Sequence, residues 1–149
     1  MPTLEKVART NAGLAAELRV SVMRLRRRLV SERHPNNELS LSTMSALGML
    51  YRRGELGLTE LAQIERVQPP SMTRTVKWLA QEGLVTRRPH DTDRRQILVS
   101  LTDKGRDVVR ADRASRDAWL SRRLADLTAE ERAVLRQAAP LIERLAQGD

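Results

Sequence analysis

Apolar and polar positions divide the chain into amphipathic helix-length runs at both ends and a shorter, mixed region between them. Leu14, Leu18, Val22, Leu25 and Leu29 recur at steps of four and three, which predicts a helix with a narrow apolar seam about five turns long. It should end near the turn-like His34-Pro35-Asn36-Asn37. Residues 1 to about 10 are expected to form an irregular arm. So narrow a seam beside a terminus suits a helix–helix interface better than half of a globular core. Met44, Leu47, Leu50 and Tyr51 predict a second helix, capped by Ser40 and closed at Arg52-Arg53-Gly54. After the short extended Leu56-Gly57-Leu58, Thr59 is the expected cap of a third helix, TELAQIERV, with Leu61 and Ile64 turned inward.

From Gln68 to Leu101 the periodicity changes twice. Pro69 suits the first position of a helix, where its missing N–H costs nothing, and Gly83 is its expected stop. Met72, Val76 and Leu79 share one face, leaving Ser71, Arg74 and Lys77 opposite with Thr73 at the margin. That polar face reads either as solvated or as free to enter a groove. Leu84–Arg88 and Arg95–Leu101 are strand-length runs joined by the turn-like PHDTDR. Asp93 and Arg95, two apart, point the same way in extended chain and can pair. Arg94 then points beyond the tip, where one guanidinium suits the narrow, negative minor groove of DNA. A major-groove helix followed by such a hairpin is a winged helix.

Thr102 is the expected cap of a fifth helix, running to about Arg123, whose apolar positions are thin and whose charges alternate, as in Asp112 with Arg116. A long helix nearly polar all round usually bridges two bodies. Thr128-Ala129-Glu130-Glu131 is a capping box, and Val134, Leu135, Ala138, Leu141, Ile142 and Leu145 form a strong amphipathic face behind it. Pro140 predicts a kink or break between Arg136 and Pro140.

The fold class expected is therefore mainly α (α+β): a winged helix-turn-helix whose N- and C-terminal helices form a dimerisation body. Residues 1–37 would supply arm and dimerisation helix, 38–101 the winged core, and 102–149 the linking and second dimerisation helices, all in one structural domain. Both terminal seams exceed what the winged core needs, and a two-fold homodimer would bury them.

Composition narrows the function. The 149 residues carry 27 Lys plus Arg against 19 Asp plus Glu, a formal charge of +8 that favours a polyanionic partner. With no cysteine, disulfides, thiolate zinc sites and thiol redox sensing are excluded. No stretch reaches ~20 apolar residues and MPTLEKVART has no signal-peptide core, so the expected location is cytoplasmic. His34 and His90 lie in turns, no glycine-rich phosphate loop follows a strand, and Asp91 and Asp93 sit among arginines. An enzyme is not expected, nor a cofactor, nor a metal on His90, Asp91 and Asp93.

Residues 58–105 resemble the DNA-binding core of the MarR family of bacterial transcription regulators. The likeness rests on Thr73-Arg74, Gly83-Leu84-Val85 and Asp93-Arg94-Arg95, with Val99, Leu101, Thr102 and Gly105 at matching spacing. It implies a homodimeric, sequence-specific binder of palindromic double-stranded DNA, commonly a repressor, released by a small phenolic or anionic effector. It also implies that Leu56-Gly57-Leu58 pairs with the wing as an edge strand. Ser71, Thr73, Arg74 and Lys77 are the candidates for major-groove contact; Arg87, Arg88, Arg94 and Arg95 for phosphate and minor-groove contact. Asp93 with Arg95 would shape the wing. The effector site would lie near helices 1, 2 and 5, with Tyr51 a candidate for it and an arginine among Arg24, Arg26, Arg27 and Arg28 for a carboxylate. Pro69 and Pro70 remove two amide donors from the helix start, so side chains there must do more. The alternative is a winged module for RNA or an acidic protein; with no Phe, two Trp and one Tyr, base stacking has little to work with.

Overall fold

The structure, a computed structural model, describes residues 9–148; most of the expected arm lies outside the described residues. Among the described residues six helices and three strands follow in the order α1 (Asn11–Ser31), α2 (Leu41–Arg53), β1 (Leu56–Gly57), α3 (Leu58–Ile64), α4 (Pro69–Gln81), β2 (Val85–Pro89), β3 (Ile97–Leu101), α5 (Asp103–Ala125) and α6 (Ala129–Gln147). They fall into two compact units. One is Arg33–Ala114; the other joins the chain up to Glu32 with the chain from Ser115, so that the boundary cuts α5.

In the Arg33–Ala114 unit a small antiparallel sheet, ordered β1-β3-β2, packs under α2, α3 and α4. Leu56 pairs with Val99, and Val85 through Pro89 pair with Leu101 back to Ile97. The extended bridge is thus an edge strand, as the resemblance implied. Leu47, Leu50, Leu61, Val76, Leu79 and Val99 form the innermost core. Each such side chain contributes roughly 1.5–3 kcal/mol on burial.

Local chemistry sets the ends of α4. Gln68 is its N-cap and prolines occupy the first two positions. At the far end Gly83 takes φ 73°, and the Leu84 N–H donates to the Leu79 carbonyl at 2.9 Å while Gly83 N–H donates to Ala80. This paired closure needs a left-handed residue, which glycine supplies without strain. The Thr102 hydroxyl then donates to the Gly83 carbonyl at 2.6 Å and accepts the Gly105 N–H at 3.1 Å, joining the stop of α4 to the start of α5. A Cβ on Gly105 would stand 2.1 Å from the Leu84 carbonyl oxygen, so only glycine permits this approach.

Two expectations about α3 are corrected by the structure. Gly57, not Thr59, is the N-cap of α3, and Leu58 already belongs to that helix, because β1 runs directly into it with its last residue as the cap. Helix α3 also stops at Ile64, short of the expected Val67. Asp112, one of the alternating charges expected along α5, is wholly buried, accepts the His34 N–H at 3.0 Å, and lies 3.8 Å from the Arg33 guanidinium. A buried carboxylate of this kind persists only with donors around it.

In the other unit, the Thr10 hydroxyl accepts the Gly13 N–H at the start of α1, and Thr128 with Glu131 forms the capping box of α6. Arg116 reaches the Leu29 carbonyl at 3.2 Å. Arg28 and Arg123 both stand over the Trp119 ring. Of the kink or break expected at Pro140, the break is absent, since helix α6 runs through it: the one backbone hydrogen bond that proline removes does not end the helix. Neither α1 nor α6 contains a buried residue; their seams stand open in the single chain.

Candidate DNA-binding surface

The apolar face of α4 is fully used: Met72, Val76 and Leu79 are buried against α2, α3 and the sheet. This fixes the rotation of the helix and leaves Thr73, Arg74 and Lys77 exposed, with Ser71 half-buried beside them. Thr73 donates its hydroxyl back to the Pro69 carbonyl at 2.9 Å, and Arg74 leans over Ser71, Nη2 to Oγ 3.3 Å. The Lys77 ammonium makes no hydrogen bond or ion pair with another described residue. The helix thus presents hydroxyl, guanidinium and ammonium groups on one side at successive turns.

The wing follows at once. Its loop is organised by His90, whose Nδ1 lies 3.2 Å from the backbone N–H groups of both Thr92 and Asp93. His90 N–H itself donates to Gln96 across the loop. Asp93 accepts the Arg95 N–H at 3.1 Å and its Nε at 3.4 Å, so the two side chains do meet at the loop base. Arg94 and Arg95 are exposed, and Arg94 has no partner among the described residues. Asp91 is held by Arg88 at 2.9 Å. Each carboxylate here is thereby committed to a guanidinium and His90 Nδ1 to amides, and no group of His, Cys, Asp or Glu among the described residues is arranged to hold a metal.

The two strand arginines differ in a way that the sequence did not disclose. Arg87 is exposed and lines a cleft of about 290 Å³ together with Thr73 and Val76 of α4 and Ile97 of the wing. Arg88, at the same cleft, is taken up by Glu55 and Asp91. Hydrogen bonds from Arg88 and then Ser100 hold the Glu55 carboxyl below its ordinary range. The pair is therefore intact at neutral pH and fades only as pH falls through that lowered value.

Arg66 is a second residue the sequence reading passed over. Its φ of 55° is the only positive value at a non-glycine position among the described residues. It closes α3 as Gly83 closes α4: Val67 N–H donates to Ala62 and Arg66 N–H to Gln63. An arginine there carries roughly 1–2 kcal/mol of left-handed strain that glycine would not. Its side chain is exposed in the turn directly before α4.

Tyr51, at the end of α2, meets three arginines of α5. Arg113 stands over its ring at 4.3 Å, and Arg110 hydrogen-bonds the phenol oxygen and lowers its pKa, with Arg106 adding to the positive field.

Helix α3, a tight turn, helix α4 and an arginine-bearing hairpin define a winged helix-turn-helix. The MarR family model matches residues 39–97. The HTH-type transcriptional regulator Mb0904 of Mycobacterium bovis is 47% identical over 133 residues, covering 89% of this chain and 92% of its own. The HTH-type transcriptional repressor MdtR of Bacillus subtilis is 37% identical over 101 residues, 68% of this chain and 63% of its own. Among solved structures, a transcriptional regulator from Pseudomonas aeruginosa superposes with a TM-score of 0.82 at 34% identity, covering 99% of both chains. The chain belongs to the MarR family, a family of non-enzymatic DNA-binding transcription regulators.

Proposed function

We propose that this regulator binds a palindromic site in double-stranded DNA as a homodimer, represses transcription from it, and is released by a small effector. The observation that carries the reading is the shared cleft: Thr73 on the free face of α4 and Arg87 on the wing strand open onto one concavity. Ser71, Thr73, Arg74 and Lys77 face the major groove, the first three toward base edges and Lys77 as a point charge toward phosphate. Arg94 at the tip enters the minor groove, and Arg87 and Arg66 neutralise phosphate. Arg88 and Asp93 act differently: engaged with Glu55 and Arg95, they set the pose of the wing. The MdtR repressor supports the sign of regulation, and the open seams of α1 and α6 support two-fold pairing. Among the described residues no helix is long and apolar enough to cross a membrane, which accords with work on DNA in the cytoplasm.

For release, Tyr51 with Arg110 and Arg113 offers a phenol, a ring face and two guanidinium groups to an anionic aromatic molecule. Such a ligand acts only by favouring a dimer geometry that misfits the operator. Selection of bound duplexes from a random pool tests the whole reading. A two-fold symmetric consensus, with bound duplex not displaced by single-stranded RNA, is the expected result; a consensus without symmetry defeats the dimer, and RNA competition defeats duplex reading.

A further inference from the structure

We propose a second small-molecule site, on the Arg33–Ala114 unit, that takes an organic cation with an aromatic or otherwise apolar body. A cavity of about 830 Å³ lies between the α1–α2 connection, the C-terminal half of α4 and the first turns of α5. This is within the roughly 300–1,000 Å³ typical of small-ligand sites. Neither Tyr51 nor Arg110 nor Arg113 lines it.

Its chemistry selects the occupant. The floor is apolar, made by Leu39, Leu84 and Val108. One wall is Trp78, which stays 42% exposed on a helix whose other large apolar side chains are buried. An indole face is the best aromatic partner for a cation. Around the rim stand Glu38, Glu82 and Asp107, three carboxylates on a chain whose formal charge is +8, with Asp107 3.9 Å from the Arg110 guanidinium. The carboxylates of Glu38 and Glu82 make no hydrogen bond or ion pair with another described residue. The lysine at the rim, Lys104, keeps its charge but is tethered away from the carboxylates, donating from Nζ to the Glu82 backbone carbonyl oxygen at 2.8 Å. Apolar floor, open indole and rim carboxylates that outnumber the one lining ammonium together favour a lipophilic cation over the anions suited to Tyr51. Because Trp78 belongs to α4, Glu82 is its C-cap, and Asp107 and Val108 belong to α5, an occupant would bridge the proposed reading helix and the helix that leaves the unit.

Binding measured without DNA keeps this site separate from the DNA-binding reading. The probe is tetraphenylphosphonium, titrated calorimetrically into the full chain, with triphenylphosphine oxide as an uncharged counterpart and Tyr51→Phe as a control. The expected result is saturable phosphonium binding, weakened roughly tenfold or more by Trp78→Leu and by the double change Glu38→Gln, Glu82→Gln, and unaltered by Tyr51→Phe. All four substituted side chains lie at or near the surface, and matching thermal melts confirm that the variants are folded. The proposal is overturned if no saturable binding occurs, if the oxide binds as well as the phosphonium, if the glutamine pair leaves affinity unchanged, or if Tyr51→Phe removes binding.

Discussion

Arg88 and Glu55 form a two-pronged ion pair, Nη2 to Oε1 at 2.7 Å and Nε to Oε2 at 3.1 Å, across a sheet in which their strands are not neighbours. Glu55 precedes β1, Arg88 lies on β2, and Ser100 of the intervening β3 donates to Glu55 Oε2 at 2.6 Å. Planar guanidinium and carboxylate thus tie all three strands at the root of the wing. On this account Arg88 serves DNA binding by fixing the wing's direction. Glu55→Gln and Arg88→Met should each weaken operator binding, and the double variant should be no worse than the poorer single one, because both remove the same tie. Were Arg88 a phosphate contact, Arg88→Met would cost more than Glu55→Gln and lower the salt slope by about one. Fluorescence anisotropy over a salt series separates the two.

Arg74 and Lys77 share the exposed side of α4 but have different capacities. Arg74 has a planar fork already directed by its contact with Ser71, whereas Lys77 offers a point charge on a flexible stem. Arg74→Ala should therefore cost about 1–3 kcal/mol at one base position and relax the preference there. Lys77→Ala should weaken all sequences evenly and reduce the salt slope by roughly one. Binding to a panel of single-base operator variants checks both; an even loss for Arg74→Ala would make it a phosphate contact.

The winged architecture is legible in the sequence because its cues are local and agree with one another. Met72, Val76 and Leu79 at helical spacing, Gly83 as a stop and Asp93 two residues before Arg95 each act over a few positions. Contacts between distant residues are another matter. Glu55 precedes a two-residue strand and gives no hint that it meets Arg88, thirty-three positions on. Asp112 sits among alternating charges, and only packing against the Arg33–His34 segment buries it. The 830 Å³ cavity combines three segments whose closeness no periodicity encodes. Arg66 was hidden for a different reason: its left-handed backbone is imposed by the tight turn between α3 and α4, where sequence rules expect glycine or asparagine.

Replacing Arg66 tests whether its strain is retained for contact with DNA. Arg66→Gly removes the left-handed penalty but gives the unfolded chain more freedom, leaving a net stabilisation of about 1 kcal/mol or less. The melting temperature should rise by up to ~4 °C in a chain of this size. Operator affinity should move the opposite way, with a smaller salt slope, as one phosphate contact disappears. A variant that melts higher and binds equally well would show that Arg66 is a strained turn residue and no more.

The open seams carry the last prediction. On α6, Leu141 stands between Val134, 64% exposed, and Leu145, 71% exposed, and Leu135 and Ile142 border the same face. On α1, Leu14, Val22 and Leu25 are likewise uncovered. A monomer gains nothing from spacing so many apolar groups at helical intervals along solvent, while a two-fold partner with the same stripe removes both from water at once. Light scattering at micromolar concentration should therefore give twice the 16.9 kDa chain mass. Leu141→Asp places a charge in the middle of the α6 stripe, where pairing would strip it of water, and should return the mass to that of one chain. Because the change lies on a helix with no buried residue, the single-chain fold has no reason to fail, and circular dichroism should stay as in the parent. The separated chain would then meet a palindromic operator one half-site at a time, losing the effective concentration that links the two reading helices. A wild-type chain that scatters as a monomer, or a Leu141→Asp variant that remains a dimer with full operator affinity, would place the interface elsewhere or remove it.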